Sequence, residues 1–355
     1  MIDVRLLRED PEGVMVALAR RGIERDFMER VVELDQRRRE VVTEVDGLRS
    51  KQNARSRAIA AAQPERRREL IAAAAELKEP LRVAEEELEV VSRELAQALA
   101  GIPNLPDPAA PSGFEENNVQ LRVSGKPPEF DFTPRDHVEL LEPAGALDLA
   151  RAAKVSGARF YFLRQEGALL ELALVRYALD VAQRHGHIPV IPPVLVRQEA
   201  LFGTGFFPSD EQQIFATRDD DLYLIGTSEV SLASMHADEI LPELPLRYAG
   251  FSTCFRREAG SYGKDTRGMF RVHQFDKVEL FSFVHPDDSR EEHERILQIE
   301  EELMQGLELH YRIVDIAVGD LGASAARKFD IEAWLPGQQT YRELTSCSNT
   351  TDYQA

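Results

Sequence analysis

Cysteine is scarce: only Cys254 and Cys347 occur in 355 residues, and neither belongs to a CxxC pair or a His/Cys cluster. That excludes a disulfide framework and a thiolate metal site, and it reads as two reduced thiols in a reducing compartment. No apolar run reaches the roughly 18 residues that a membrane-spanning helix needs. The first eleven residues are charged and lack an apolar signal core, so the expected location is cytoplasmic. Positive charge is also short, with 43 Lys and Arg against 62 Asp and Glu and a net charge of −19. A uniformly basic nucleic-acid binder is excluded, but a local basic stretch is not.

Hydrophobic residues make up 43% of the chain and charged residues 30%, a globular composition on a chain too long for one typical domain. One local stretch is basic. Residues 37–68 hold ten Lys or Arg and four Asp or Glu. The cations are Arg37, Arg38, Arg39, Arg49, Lys51, Arg55, Arg57, Arg66, Arg67 and Arg68.

That stretch lies in a helical pattern. Residues 27–62 contain no proline and a single glycine, Gly47. Val31, Leu34, Val41, Val45, Leu48 and Ile59 fall three or four apart in part of the segment. From Leu70 the seam is cleaner: Ala74, Leu77, Leu81, Ala84, Leu88, Val91, Leu95 and Ala98 follow it at heptad spacing. Gln63-Pro64 marks a turn and a new helix start. Two long helices with a short connection pack antiparallel, each roughly 50 Å long. Pro80 should kink the second helix. Arg38, Gln52 and Arg55 fall on the seam of the first, which should loosen toward the tip. Pattern alone favours a spacer or dimerising coiled coil, while the Arg cluster speaks for an arm whose basic tip meets phosphates. Residues 1–100 are thus read as a helical arm. Residues 101–120 form a linker with four prolines between Pro103 and Pro111, and 121–355 a second domain.

The second domain reads as α+β. Helices are expected over 139–152, 167–184 and 291–309. The 167–184 helix is apolar nearly all round, so it is buried on several sides or lies in a subunit interface. An extended segment is expected at 188–193, and strands at 222–225, 247–255, 269–283, 310–318, 329–334 and 339–346. Hairpins and long excursions between them favour an antiparallel sheet flanked by helices.

The hairpin 251–283 carries the densest chemistry. Odd positions of its second strand are Arg271, His273, Phe275, Lys277 and Glu279. Val272, Val278 and Leu280 are even. Arg256 and Glu258 lie two apart on the first strand. The connecting loop, 259–268, holds three glycines with Ser261, Lys264, Asp265, Thr266 and Arg267. Arginines can grip phosphates in fork geometry and an aromatic face can stack a base. Spacing alone does not separate such a nucleotide site from a solvated face laced with ion pairs.

Longer motifs are more specific. Residues 255–261 and 267–279, FRREAGS and RGMFRVHQFDKVE, resemble motif 2 of the seryl-tRNA synthetases. Residues 186–193 resemble motif 1, which builds the class II dimer interface. IGTSE at 225–229 resembles the family's Thr-x-Glu loop, and YRELTSCSN at 341–349 its strand before motif 3. The opening Met1-Ile2-Asp3 and the linker IPNLP at 102–106 also match, so the resemblance covers essentially the whole chain.

The resemblance implies an ATP-dependent serine–tRNA ligase that is a cytoplasmic homodimer. It implies catalytic roles for Arg256, Glu279 and Glu343. Arg256 would hold the α-phosphate of ATP and the serine carboxylate. Glu258 would read the adenine edge, Phe275 would stack on adenine, and Arg271 would hold the far phosphates. Thr227, Glu229, Arg256 and Glu279 would bind L-serine. Glu343 and Ser346 would bind ATP and carry Mg²⁺. Arg37, Arg38, Lys51, Arg55, Arg57, Arg66, Arg67 and Arg68 would meet tRNA-Ser, and tRNA-Sec by the same family logic. No protein nucleophile is needed, and His273 is expected to be a structural hydrogen-bonding residue.

The family pattern continues beyond Ala355, with a contact to the serine hydroxyl and the motif 3 arginine. The expectation is therefore a C-terminally incomplete synthetase, with sheet edges left unpaired and the 355 residues alone weak or inactive. The alternative is a non-catalytic tRNA-binding paralogue or scaffold. An amino acid:carrier protein ligase fits less well, because that group lacks the long arm.

Overall fold

The computed structural model describes residues 1–260 and 268–354. The chain divides into two compact units, Ile2–Ile102 and, together with Met1, Pro103–Ala355. The fold is α+β, with a long helical arm followed by mainly antiparallel sheets.

In the first unit α1 (Val4–Glu9) and α2 (Pro11–Ala19) precede α3 (Arg25–Ala61), α4 (Pro64–Ala75) and α5 (Lys78–Ala100). Asp3 and Asp10 cap the two short helices by accepting from the N–H groups of Arg5 and Gly13, at 2.8 and 2.9 Å. α3 has 37 residues, about 55 Å of helix at the standard rise. It packs antiparallel on α5 through Val41, Val45, Leu81 and Ala84. Val31, Val91 and Leu95 are also buried, but no residue from 46 to 80 is. Gln52 and Arg55 on one side and small alanines on the other leave too little apolar surface to close the distal half. Nearer the base, the buried Asp35 carboxylate accepts from Arg8 at 2.8 and 2.6 Å and from Arg39 at 3.1 Å. The Arg8 hydrogen bonds hold it below the usual carboxylate range.

The second helix is interrupted rather than kinked. It stops after Ala75 and restarts at Lys78, so Pro80 falls in the first turn of α5. Proline there forfeits no hydrogen bond, whereas a continuous helix would set its ring against the carbonyl of Glu76.

The second unit begins with β1 (Val119–Ser124). It continues through α6 (His137–Leu141), β2 (Leu147–Asp148), α7 (Leu149–Ser156), β3 (Phe162–Leu163) and α8 (Glu166–Arg184). Next come β4 (Ile188–Val190), β5 (Leu195–Val196), α9 (Gln198–Gly203), β6 (Phe215–Ala216), β7 (Tyr223–Leu224) and α10 (Glu229–Ser234). The last elements are β8 (Leu246–Phe255), β9 (Gln274–Phe283), α11 (Ser289–Gly306), β10 (Tyr311–Asp315), β11 (Arg327–Leu335) and β12 (Thr340–Asn349). One sheet has the order β4-β8-β9 and another β1-β10-β11-β12; two small sheets pair β2 with β3 and β5-β7-β6. Among the described residues only β4 and β8 pair in parallel. The core of the four-stranded sheet is Leu297 and Met304 of α11 against Tyr311, Ile313, Phe329, Ile331 and Cys347.

Three further expectations change. The helix over 139–152 is two short helices, because Pro143 and the left-handed Gly145 (φ +72°) turn the chain between them. β1 begins inside the expected linker. Both its faces are largely exposed, so it offers little alternation to read. The long strand over 269–283 begins only at Gln274. Its partner β8 ends at Phe255, opposite Gln274, and Glu258 has left-handed backbone (φ +50°), so no ladder continues. Arg271 and His273 therefore precede the strand and do not share its alternation. Among the described residues no helix is long and apolar enough to cross a membrane.

Candidate active site

The site is built on β8 and β9. Their register sets Gly250 opposite Glu279, Ser252 opposite Lys277 and Cys254 opposite Phe275. Period-two geometry sends Phe275, Lys277 and Glu279 from one face. The turn 225–229 lies against this hairpin, and Gly250 makes the approach possible. A Cβ there would stand 2.8 Å from Leu232 Cδ1 and 3.0 Å from Ser228 Oγ. Phe255 N–H donates to Ile225 O at 2.8 Å, and Arg256 Nε donates to Gly226 O at 3.2 Å. The turn thus anchors the root of the Arg256 side chain, whose guanidinium carbon is 5.1 Å from the centre of the Phe275 ring.

A hydrogen-bonded chain runs across the turn. Lys277 Nζ donates to Thr227 Oγ1 at 3.1 Å, and that hydroxyl donates to Glu279 Oε2 at 2.6 Å. Lys277 also ion-pairs directly with Glu279. Glu229 Oε1 accepts from Gln354 Nε2 at 2.7 Å, and the same amide nitrogen donates to Thr204 O at 3.0 Å. Burial, then the nearby charge of Glu279, pushes Glu229 above the usual carboxylate range. Burial works against the Lys277 ammonium, but the charge and hydrogen bond of Glu279 outweigh it and raise its pKa.

The opposite wall comes from β12. Glu343 and Ser346 are three apart, and a regular strand would send them to opposite faces. The register shifts between them: Glu332 pairs with Glu343, Ile331 with Thr345 and Asp330 with Ser346, leaving Leu344 as a bulge. Glu343 and Ser346 thereby share a face. Lys328 Nζ lies 2.8 Å from Asp330 Oδ1 and 3.7 Å from Glu343 Oε1. Glu229, Arg256, Phe275, Glu279, Glu343 and Ser346 all line one cavity of about 1020 Å³.

Thr227 joins that wall through its bond to Glu279. Glu258 and Arg271 are bound to each other, Oε2 to Nη1, at 2.7 Å. His273 Nδ1 contacts Arg256 O at 2.9 Å, and its ring packs near Phe160 and Phe215. Ser261, Lys264, Asp265, Thr266 and Arg267 lie outside the described residues. Lys277 stood in the sequence pattern without a role. Gln354 carried no signal, because its partner Glu229 is 125 residues away.

Below β12, burial pushes the Glu300 carboxyl up to about 8, and its Oε2 has no partner among the described residues. Between the unfolded value near 4.5 and about 8 the folded state holds the extra proton. Stability is present below the unfolded pKa and lost as pH rises through 8. E300Q is expected to match the wild type near pH 5. At pH 9 it should be more stable, by on the order of 2–4 kcal/mol. Denaturant midpoints at the two pH values check this.

In the helical unit Arg37 ion-pairs with Glu87, Arg38 Nε reaches Ser92 Oγ at 3.3 Å, and Arg55 binds Ala73 O. These three tie the hairpin together. Lys51, Arg57, Arg66, Arg67 and Arg68 are exposed toward its distal end.

Residues 1–106 match the family model described as the Seryl-tRNA synthetase N-terminal domain. Residues 213–355 match the tRNA synthetase class II core domain (G, H, P, S and T). A Serine--tRNA ligase of Nocardia farcinica is 52% identical over 357 residues, covering 100% of this chain and 85% of that protein. One from Thermobifida fusca is 50% identical with the same coverage. The crystal structure of seryl-tRNA synthetase from Pyrococcus horikoshii complexed with ATP aligns with a TM-score of 0.91 and 42% identity, covering 100% of this chain and 85% of that one.

Proposed function

The chain belongs to the seryl-tRNA synthetase family, and on that premise we propose that it activates serine with ATP and transfers the seryl group to tRNA-Ser. The carrying observation is the convergence of Arg256, Glu279 and Phe275 on one cavity with Glu343 and Ser346. In the first step a serine carboxylate oxygen attacks the α-phosphorus. The bond to pyrophosphate breaks and seryl-adenylate forms. In the second, a terminal tRNA hydroxyl attacks the adenylate carbonyl and AMP leaves.

Neither step needs a protein nucleophile. What lowers the barrier is positive charge held where negative charge grows. Arg256, fixed at Gly226 O, is the group for the α-phosphate and the serine carboxylate. Glu279, Thr227 and Glu229 receive the serine ammonium, and Phe275 offers a face to adenine. Glu258 reads the adenine edge, and Arg271, released from Glu258, takes the far phosphates.

Mg²⁺ fits the oxygen donors Glu343 and Ser346. Both are exposed at the cavity, leaving room for the water and phosphate ligands that this ion retains. When bound, it would neutralise triphosphate charge. The homodimer reading is supported by α8, where Leu169, Leu170, Leu172 and Leu174 are exposed, as are Ile188 and Ile191 in the segment that follows. Family resemblance extends the tRNA reading to tRNA-Sec.

The test is ATP–pyrophosphate exchange with the purified full-length protein. Serine is expected to drive exchange, and threonine or alanine far less. Absence of serine-driven exchange with retained tRNA binding would instead support the scaffold reading.

A further inference from the structure

Resting on the proposed serine site, we infer that Lys277 is a positioning residue that holds Glu279 turned toward the substrate ammonium group. Lys277 and Glu279 are two apart on β9, so their side chains leave the same face side by side. Nζ both pairs with Glu279 and donates to Thr227 Oγ1. That second bond gives the network its direction. A hydroxyl that accepts from an ammonium keeps its single proton for another acceptor, and Thr227 gives it to Glu279 Oε2 at 2.6 Å. Two donors on one side of the carboxylate leave its remaining lone pairs for a ligand.

The charge balance points the same way. Glu229 and Glu279 line the same cavity, with Lys277 and Arg256 as the cations beside them. Arg256 is tethered to Gly226 O and lies over Phe275, so Lys277 is the cation paired to Glu279. Without it Thr227 could turn its proton elsewhere. Glu279 would then lose the ion pair that fixes its rotation. Lys277 does not touch the reacting atoms in this arrangement, and its effect falls on amino-acid binding.

The experiment measures serine-dependent exchange in the full-length protein for the wild type, K277M and K277R, with KM determined separately for serine and ATP. K277M is expected to raise the serine KM about 10-fold or more while the ATP KM stays within about twofold. K277R, which keeps the charge, is expected to recover a substantial part of that loss. A parallel rise of both KM values would overturn the inference, pointing to a phosphate contact or a collapsed cavity. So would an unchanged serine KM, or an arginine variant no better than methionine. If K277M does not fold, K277R and K277Q carry the same comparison. Failure of the wild type to exchange at all would sink the proposed function instead, which separates the two outcomes.

Discussion

R256A is expected to lower kcat/KM for serine-dependent ATP–pyrophosphate exchange by about 1000-fold or more. The reason is position as well as charge. The guanidinium is tied at Nε to Gly226 O, which leaves its terminal nitrogens for ligand oxygens. Its carbon sits 5.1 Å over the Phe275 ring. A charge held in advance needs no reorganisation as the phosphorus centre becomes five-coordinate. Lysine cannot reproduce both the tether and a fork of donors, so R256K is expected to fall much closer to alanine than to the wild type. The loss should appear mainly in kcat, measured at saturating serine and ATP. A kcat unchanged in R256A would remove Arg256 from the reaction.

Neutralising the distal end of the arm should give the second large effect. The triple variant R66Q/R67Q/R68Q is expected to lower kcat/KM for tRNA-Ser charging by about 10- to 1000-fold near physiological salt. The salt dependence should become shallower by about one unit of log–log slope per lost phosphate contact. All three side chains are exposed, and no residue between 46 and 80 is buried, so the substitutions remove little packing. Exchange without tRNA serves as the folding control. Charging at the wild-type rate across a salt series would show that this end of the arm does not meet tRNA. Arg37 and Arg38 should behave differently, because their contacts with Glu87 and Ser92 serve the hairpin.

What could be read from the sequence follows from how local each signal is. The α3–α5 hairpin rests on spacings within a few turns, and the buried seam of Val41, Val45, Leu81 and Ala84 appears where heptad spacing put it. The kink expected at Pro80 is instead a break between Ala75 and Lys78, because proline constrains the turn before it as well as its own position. The strand boundary at Gln274 was missed because alternation alone cannot tell where a partner strand stops. Phe275 and Glu279 were legible as one face. Gln354 on Glu229 was not, because only the fold joins them. The shared face of Glu343 and Ser346 was hidden too, since nothing in YRELTSCSN announces a bulge.

That bulge changes what spacing means along β12. Before Leu344 the odd-numbered residue Glu343 looks toward the cavity, and after it the even-numbered Ser346 and Ser348 take over that side. Anyone transplanting this carboxylate–hydroxyl pair onto an unbroken strand must set the two residues an even number of positions apart, because copying the native three-residue gap would aim them at opposite sides.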